Sequence, residues 1–221
     1  MKLFLDREDG AAQLAPLIHV SPHEQALVLA IPRGGVITGK VLCERLKLNL
    51  DIILCKKVGH PENPEYAVGS VCADGTTIQT VSDEYLSYKI FDQKATQIRS
   101  WLISRYKDLT GKEYPTSVKA RTVILTDDGM ATGSTMLAAI RSLRLAGAKK
   151  ILVAVPVAST SAADAIRKSG TTLVCPYTPE PFNAVGEFYD SFPTVTDDEV
   201  RAIMKTWVNI SSAHERKPVE Q

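Results

Sequence analysis

Two adjacent carboxylates, Asp127 and Asp128, end the apolar run Val123-Ile124-Leu125-Thr126 and lead into Gly129-Met130-Ala131-Thr132-Gly133-Ser134-Thr135. The glycines let a backbone fold tightly and approach a ligand. Thr132, Ser134 and Thr135 add hydroxyl donors. A helix starting in this stretch turns its unpaired N–H groups and the positive end of its dipole toward an anion. The segment is therefore a phosphate cradle without a lysine. It is not a nucleotide-triphosphatase loop, because no Lys precedes Ser134. Carboxylates beside a phosphate repel it unless they have other work, which is to accept hydrogen bonds from sugar hydroxyls or to hold Mg2+ directly or through water. A phosphosugar with vicinal hydroxyls satisfies both halves of the string.

Two further groups could serve an anion. Ile31-Pro32-Arg33-Gly34-Gly35 follows the apolar run 26–31, at the strand end where parallel sheets bind ligands. Arg33 can clamp a phosphate with two N–H groups, and Gly34 and Gly35 expose backbone donors. Lys56 and Lys57 follow the apolar run 50–55, and at the same sheet edge they would neutralise a leaving group. No Ser/His/Asp or Cys/His arrangement suggests a covalent nucleophile.

The elements that must position these residues follow from periodicity. The short continuous apolar run at 26–31 reads as a strand covered on both faces, and the largely apolar stretches at 50–55, 122–126, 151–155 and 172–175 read as further strands. Helical spacing falls at 7–20, 36–46, 83–109, 132–146 and 161–169. Such alternation predicts an α/β parallel sheet with flanking helices. Val58 to Glu65 reads as a loop, and 66–73 with 76–81 as a hairpin around Asp74-Gly75. Residues 177–195, rich in proline and aromatics, read as an irregular cap. Thr196-Asp197-Asp198-Glu199 is an N-cap pattern opening a last helix to about Trp207. The expected organisation is a single domain over 1–210, with a core at about 24–176, a lid at 57–82 and a hood at 177–195. A disordered tail is expected at 211–221.

Composition excludes several classes. The chain has 221 residues, with 26 Lys+Arg against 25 Asp+Glu, a net charge of +1. That leaves no whole-protein electrostatic footprint for nucleic acid, and Lys149-Lys150 with Arg141 and Arg144 make only a modest basic patch. No apolar run approaches the roughly 18 residues of a membrane span. The four cysteines, Cys43, Cys55, Cys72 and Cys175, form no C-x-x-C pair and read as buried free thiols. A reducing, cytoplasmic setting is the corresponding expectation.

The string 123–135 resembles the phosphoribosyl-pyrophosphate signature of type I phosphoribosyltransferases, and the α/β alternation extends the likeness over most of the chain. The resemblance implies that Asp127 and Asp128 bind the ribose hydroxyls and Mg2+. It implies that Gly129, Met130 and the loop from Ala131 to Thr135 bind the donor, with Ala131 to Thr135 at the 5-phosphate. It makes Arg33-Gly34-Gly35 the pyrophosphate loop, with a non-proline cis peptide entering Arg33 or next to it. Lys56 and Lys57 would face the pyrophosphate, with Lys57 counted beside Asp127, Asp128 and Arg33 in the reaction. The loop and hairpin become a mobile lid, over which Glu65 could accept a proton. Phe182-Asn183-Ala184-Val185-Gly186-Glu187-Phe188-Tyr189-Asp190 is similar to the purine-binding segment of hypoxanthine-type enzymes. By that likeness Phe182 stacks on a base, backbone near Val185 reads its edge and Asp190 assists the metal. Ala131 stands where those enzymes carry an acid/base aspartate, and no lysine occurs between Lys168 and Lys205. The acceptor class therefore stays open. The implied partners are phosphoribosyl pyrophosphate, a base-like acceptor and a second copy of the chain. The alternative is a regulatory protein of this fold that binds the phosphosugar or a nucleotide without turning it over.

Overall fold

The computed structural model describes residues 2–21, 24–63, 66–81 and 88–214. Glu65 and the expected tail beyond His214 lie outside the described residues. The core is a five-stranded, all-parallel sheet built from β1 (Ala26–Ala30), β2 (Asn49–Ile52), β6 (Thr122–Thr126), β7 (Lys150–Ala154) and β8 (Thr172–Val174). The strands lie in the order β2-β1-β6-β7-β8. Helices α1 (Arg7–Leu14), α2 (Gly35–Leu46), α3 (Tyr88–Thr110) and α6 (Asp197–His214) share one apolar cluster with the first face. Helices α4 (Ser134–Leu145) and α5 (Thr160–Lys168) cover the other.

The two-residue period of a strand divides the core cleanly. In β1, Val28 and Ala30 join the first cluster, while Leu27 and Leu29 join the second. Burial on both faces explains the continuous apolar runs. Order reverses at β1, since β1 hands on to β2 on one side while its other neighbour β6 hands on to β7. In open α/β sheets, the crevice at the carboxyl ends of such a pair is where ligands bind.

The expected hairpin around Asp74-Gly75 forms, but the segment before it differs from expectation. The second core strand stops at Ile52, where Ile53 N–H donates to the Ala30 carbonyl and the chain leaves the sheet. It then builds a separate antiparallel sheet from β3 (Cys55–Gly59), β4 (Ala67–Cys72) and β5 (Thr77–Gln79), in that order. This sheet packs on α3 and α4, and its inward residues Val58, Val68 and Val71 are fully buried with Phe91 of α3. Lys56 and Lys57 therefore sit within β3 and do not end a core strand.

The antiparallel register sets Cys55 opposite Cys72, with Cα atoms 4.1 Å apart, and the two form a disulfide. The free-thiol expectation holds for Cys43 and Cys175 alone, and the support that four free thiols gave to a reducing compartment goes with it. Burial pushes the Cys175 thiol up to about 11, so it is a poor nucleophile at neutral pH. Thiol counting on the denatured, unreduced protein is expected to find two thiols, and four after reduction. Four before reduction would contradict the pairing. With a sequence separation of 17, the crosslink stabilises the fold by about 3 kcal/mol in the chain-entropy model.

The last helix opens where expected. Thr196 Oγ1 accepts from Glu199 N–H at 3.2 Å, and Glu199 Oε2 accepts from Thr196 N–H at 2.6 Å, completing a capping box. The helix continues to His214, well past Trp207 and into the segment expected as tail. Among the described residues no helix is long and apolar enough to cross a membrane.

Candidate functional site

The loop after β1 and the loop after β6 meet at the switch point. The Pro32–Arg33 peptide is cis, as the likeness implied. A Cβ added to Gly34 would lie 1.9 Å from Asp128 Oδ2, and one added to Gly35 would lie 2.8 Å from Asp127 Cα. Neither glycine is needed here for a left-handed φ. Both are needed because the two loops touch. Asp127, Asp128, Gly34 and Gly35 are thus brought together as the sequence suggested. Arg33 stands at the same loop, half exposed, with Nη1 3.9 Å from Asp197 Oδ1. A guanidinium hydrogen bond from Arg105 and the charge of Arg33 hold the Asp197 carboxyl below its usual range.

The acidic pair is electrostatically uneven. Burial and the neighbouring Asp128 charge push the Asp127 carboxyl well above the usual aspartate range, against the opposing pull of Arg7. Asp128 is held by Arg7, whose Nε–H donates to Oδ2 at 2.7 Å. Tyr189 hydroxyl donates to the Asp128 main-chain carbonyl, and burial with the Asp128 charge raises the tyrosine's own titration. A divalent cation at the pair would relieve the repulsion from Asp128 that raises Asp127.

Gly133 precedes α4 with φ +70°, a left-handed turn that only glycine adopts at no cost. Ala131, Thr132 and Thr135 are exposed there and Ser134 half-buried. Thr132 and Ser134 hydroxyls lie 3.3 Å apart, so the expected donors line one small rim over the first turn of α4. Met130 does not belong to that rim. Its side chain is in the core, its N–H donates to the Val157 carbonyl and its carbonyl accepts from Ser159 N–H. That pairing locks the acidic loop to the strand end of β7.

The hood interlocks with the acidic loop and the N-terminal segment. Val185 opens a 3-10 turn (Val185–Phe188) and presses onto the acidic loop, where a Cβ on Gly129 would lie 2.4 Å from Val185 Cγ1. Phe182 is half-buried, its ring 4.8 Å from that of Phe188, so it packs within the hood. The N-terminal segment is part of the same structure. Leu3 and Phe4 N–H groups donate to the Phe188 carbonyl, and the Phe4 carbonyl accepts from Asp190 N–H.

The remaining expected site residues, Lys56, Lys57 and Asp190, have other surroundings. Lys56 Nζ lies 4.6 Å from the centre of the Trp101 ring on α3. Lys57 is exposed on β3, opposite Ser70 of β4. Asp190 is exposed, and among the described residues no group of three or more His, Cys, Asp or Glu could hold a metal ion. Asp190 thus does not join Asp127 and Asp128. Mg2+ keeps several waters and needs only one or two protein carboxylates when substrate phosphates supply the rest, so the Asp127–Asp128 pair alone fits it.

Arg7, Tyr189 and Phe192 were not foreseen as site residues. Arg7, with Arg33, Gly34 and residues 192–195, lines a cavity of about 260 Å³ beside the pair. Its one sequence mark is a cation in the first turn of a helix whose neighbours there are Glu8 and Asp9, against the helix dipole. A second cavity of about 270 Å³, between β2, α4 and the β4–β5 turn, contains none of these residues.

Known proteins carry the same pattern. Residues 5–188 match the family model described as the phosphoribosyl transferase domain. A Mycobacterium tuberculosis protein given the provisional name phosphoribosyl transferase, found in two strains, is 32% identical over 209 residues, 92% of this chain. The chain spans about half, 47%, of that relative's length. The crystal structure of TT1426 from Thermus thermophilus is 36% identical, with a TM-score of 0.82 over 94% of this chain and 99% of that one. A hypothetical protein from Neisseria gonorrhoeae with bound ppGpp, 14% identical, shares the fold with a TM-score of 0.52 over 93% and 97% of the two chains. The paired loops at the switch point and the match over residues 5–188 agree, and the chain belongs to the phosphoribosyl transferase domain family.

Proposed function

We propose that the protein transfers ribose 5-phosphate from phosphoribosyl pyrophosphate to a nitrogen of a base-like acceptor, releasing pyrophosphate. The observation that carries this reading is the contact of the Arg33-Gly34-Gly35 loop with Asp127 and Asp128, beside the phosphate rim of α4. The three parts match the three parts of the donor, its pyrophosphate, its diol and its 5-phosphate.

In this reading the first-turn N–H groups of α4 and the Thr132, Ser134 and Thr135 hydroxyls hold the 5-phosphate. Asp127 and Asp128 accept from the ribose hydroxyls, which fixes C1 toward the hood. Arg33 and the Gly34 and Gly35 N–H groups take the charge that builds as the bond from C1 to the pyrophosphate oxygen breaks. The acceptor nitrogen bonds to C1 on the opposite face and gives up its proton to the departing pyrophosphate or to water. Mg2+, when bound, screens the pyrophosphate charge, and Asp127 and Asp128 are the residues to hold it. Catalysis then rests on positioning and charge stabilisation, and no covalent nucleophile is required.

Calorimetric titration with phosphoribosyl pyrophosphate and Mg2+ tests the reading. Wild type is expected to bind, and Asp127→Asn/Asp128→Asn to lose the heat. Pyrophosphate release on adding candidate bases then separates a transferase from a binding protein. No binding by folded wild type would remove the proposal.

A further inference from the structure

The acidic pair is gripped by a side chain from far along the chain, since Arg7 and Asp128 are 121 residues apart. Arg7 gives Nε–H to Asp128 Oδ2 at 2.7 Å and Nη1–H to the Pro193 carbonyl, also at 2.7 Å. Its guanidinium carbon stands 3.6 Å from the centre of the Phe192 ring, and the side chain is only 9% exposed. An arginine this buried must be paired. Here its contacts come from two other segments, the acidic loop and the hood. A planar fork held at three points has one orientation. Gly34 lies against the same carboxylate oxygen, with a notional Cβ 1.9 Å from Asp128 Oδ2 and 3.2 Å from Arg7 Nε. Oδ2 is thus fixed, and the second oxygen of the carboxylate, Oδ1, is not taken by Arg7.

We infer that Arg7 is a positioning residue for the donor sugar. It holds Asp128 Oδ2 so that Oδ1 is presented to the ribose diol, and it ties Phe192 and Pro193 of the hood to that same carboxylate. Donor site and acceptor cap are thereby set by one side chain. A surface charge would not be buried, and a packing residue would not need three directed contacts. The inference rests on the transfer reading above and goes beyond it in assigning the N-terminal helix a part in donor recognition.

The test is calorimetry with Mg2+–phosphoribosyl pyrophosphate, ribose 5-phosphate and pyrophosphate on four proteins: wild type, Arg7→Met, Arg7→Lys and Leu14→Ala. Leu14 is fully buried on the same helix, so its truncation loosens α1 without touching the pair. Arg7→Met is expected to weaken both sugar ligands by at least roughly tenfold, the worth of one charge-assisted hydrogen bond, and pyrophosphate by less than about twofold. Added guanidinium ion restores part of the loss. Arg7→Lys keeps the charge without the fork and gives an intermediate loss, which serves as the reading if the methionine variant does not fold. Leu14→Ala lowers Tm but leaves the sugar affinities in place. Unchanged sugar binding in both Arg7 variants overturns the inference. So does an equal loss for pyrophosphate, which would make Arg7 a direct contact of the leaving group, and so does the same loss in Leu14→Ala. A wild type that binds no phosphoribosyl pyrophosphate removes the transfer reading and this inference together, whereas the other three outcomes strike Arg7 alone.

Discussion

Gly34→Ala is expected to weaken phosphoribosyl pyrophosphate binding by at least a hundredfold, while the chain stays folded. The added methyl would stand 1.9 Å from Asp128 Oδ2 and 2.6 Å from its Cγ, closer than any real contact. The backbone offers no objection, since Gly34 has an ordinary helical φ of −59°. The carboxylate cannot simply swing aside, because Arg7 holds Oδ2. Either Asp128 leaves its guanidinium or the loop after β1 lifts from the loop after β6. Both separate the groups proposed for the pyrophosphate from those proposed for the diol, and a misplacement of about 1 Å in such a constellation costs roughly 10²-fold. Titration calorimetry reads the loss, and a far-ultraviolet dichroism spectrum like that of wild type shows that the fold survives. A variant that binds within a few-fold of wild type would mean that the loop contact is not what assembles the donor site.

Asp127→Asn is expected to move stability and donor affinity in opposite directions. The carboxyl is held well above its usual titration range by burial and by Asp128. The folded protein therefore binds its proton more tightly than the unfolded chain does. By linkage, the stability tied to that proton is complete below the ordinary aspartate range and is lost as pH rises through the raised folded value. Asparagine carries no charge and has no such loss. The variant should thus unfold at a higher temperature than wild type at neutral pH, by about 2–4 °C for each 1 kcal/mol relieved, with the gap shrinking toward acid pH. Its donor affinity should fall by roughly a hundredfold, because a carboxylate proposed to accept from the diol and to hold Mg2+ becomes a neutral amide. Thermal melts at several pH values, paired with calorimetry, check both halves. A Tm below that of wild type across the range would show that the Asp127 charge is not a strain on the fold.

Much of the frame was legible because it obeys local rules. The strand at Thr122–Thr126 falls where its apolar run placed it, and α4 begins inside the glycine and hydroxyl string as the cradle requires. Buried parallel strands write continuous apolar runs, and phosphate loops write glycines and hydroxyls. The Arg33-Gly34-Gly35 loop and the acidic pair were each visible alone, but their contact is a fact of strand order, which no local pattern encodes. Lys56 and Lys57 misled because an apolar run followed by lysines looks the same whether the strand continues in its sheet or turns away at Ile52 into another. The disulfide depended on a cross-strand register between Cys55 and Cys72. Arg7 was hidden for the same reason as the loop contact, since its partners are a carboxylate and a hood contributed by distant segments.

The adjacency of β1 and β6 also decides when the site can exist. Ala26 pairs with Thr122, so the whole lid sheet and α3 must be looped out before the two central strands can meet. Loop closure of that kind is slow compared with local hairpins and helices. Fragments ending before β6 have no acidic pair to set against Gly34. On the proposed function, donor binding is then expected to be a late event in folding, and a titratable one. Any compound that spans both loops draws the equilibrium toward the finished sheet by mass action. In a refolding experiment, the appearance of binding would time the moment when the two halves of the chain first pair.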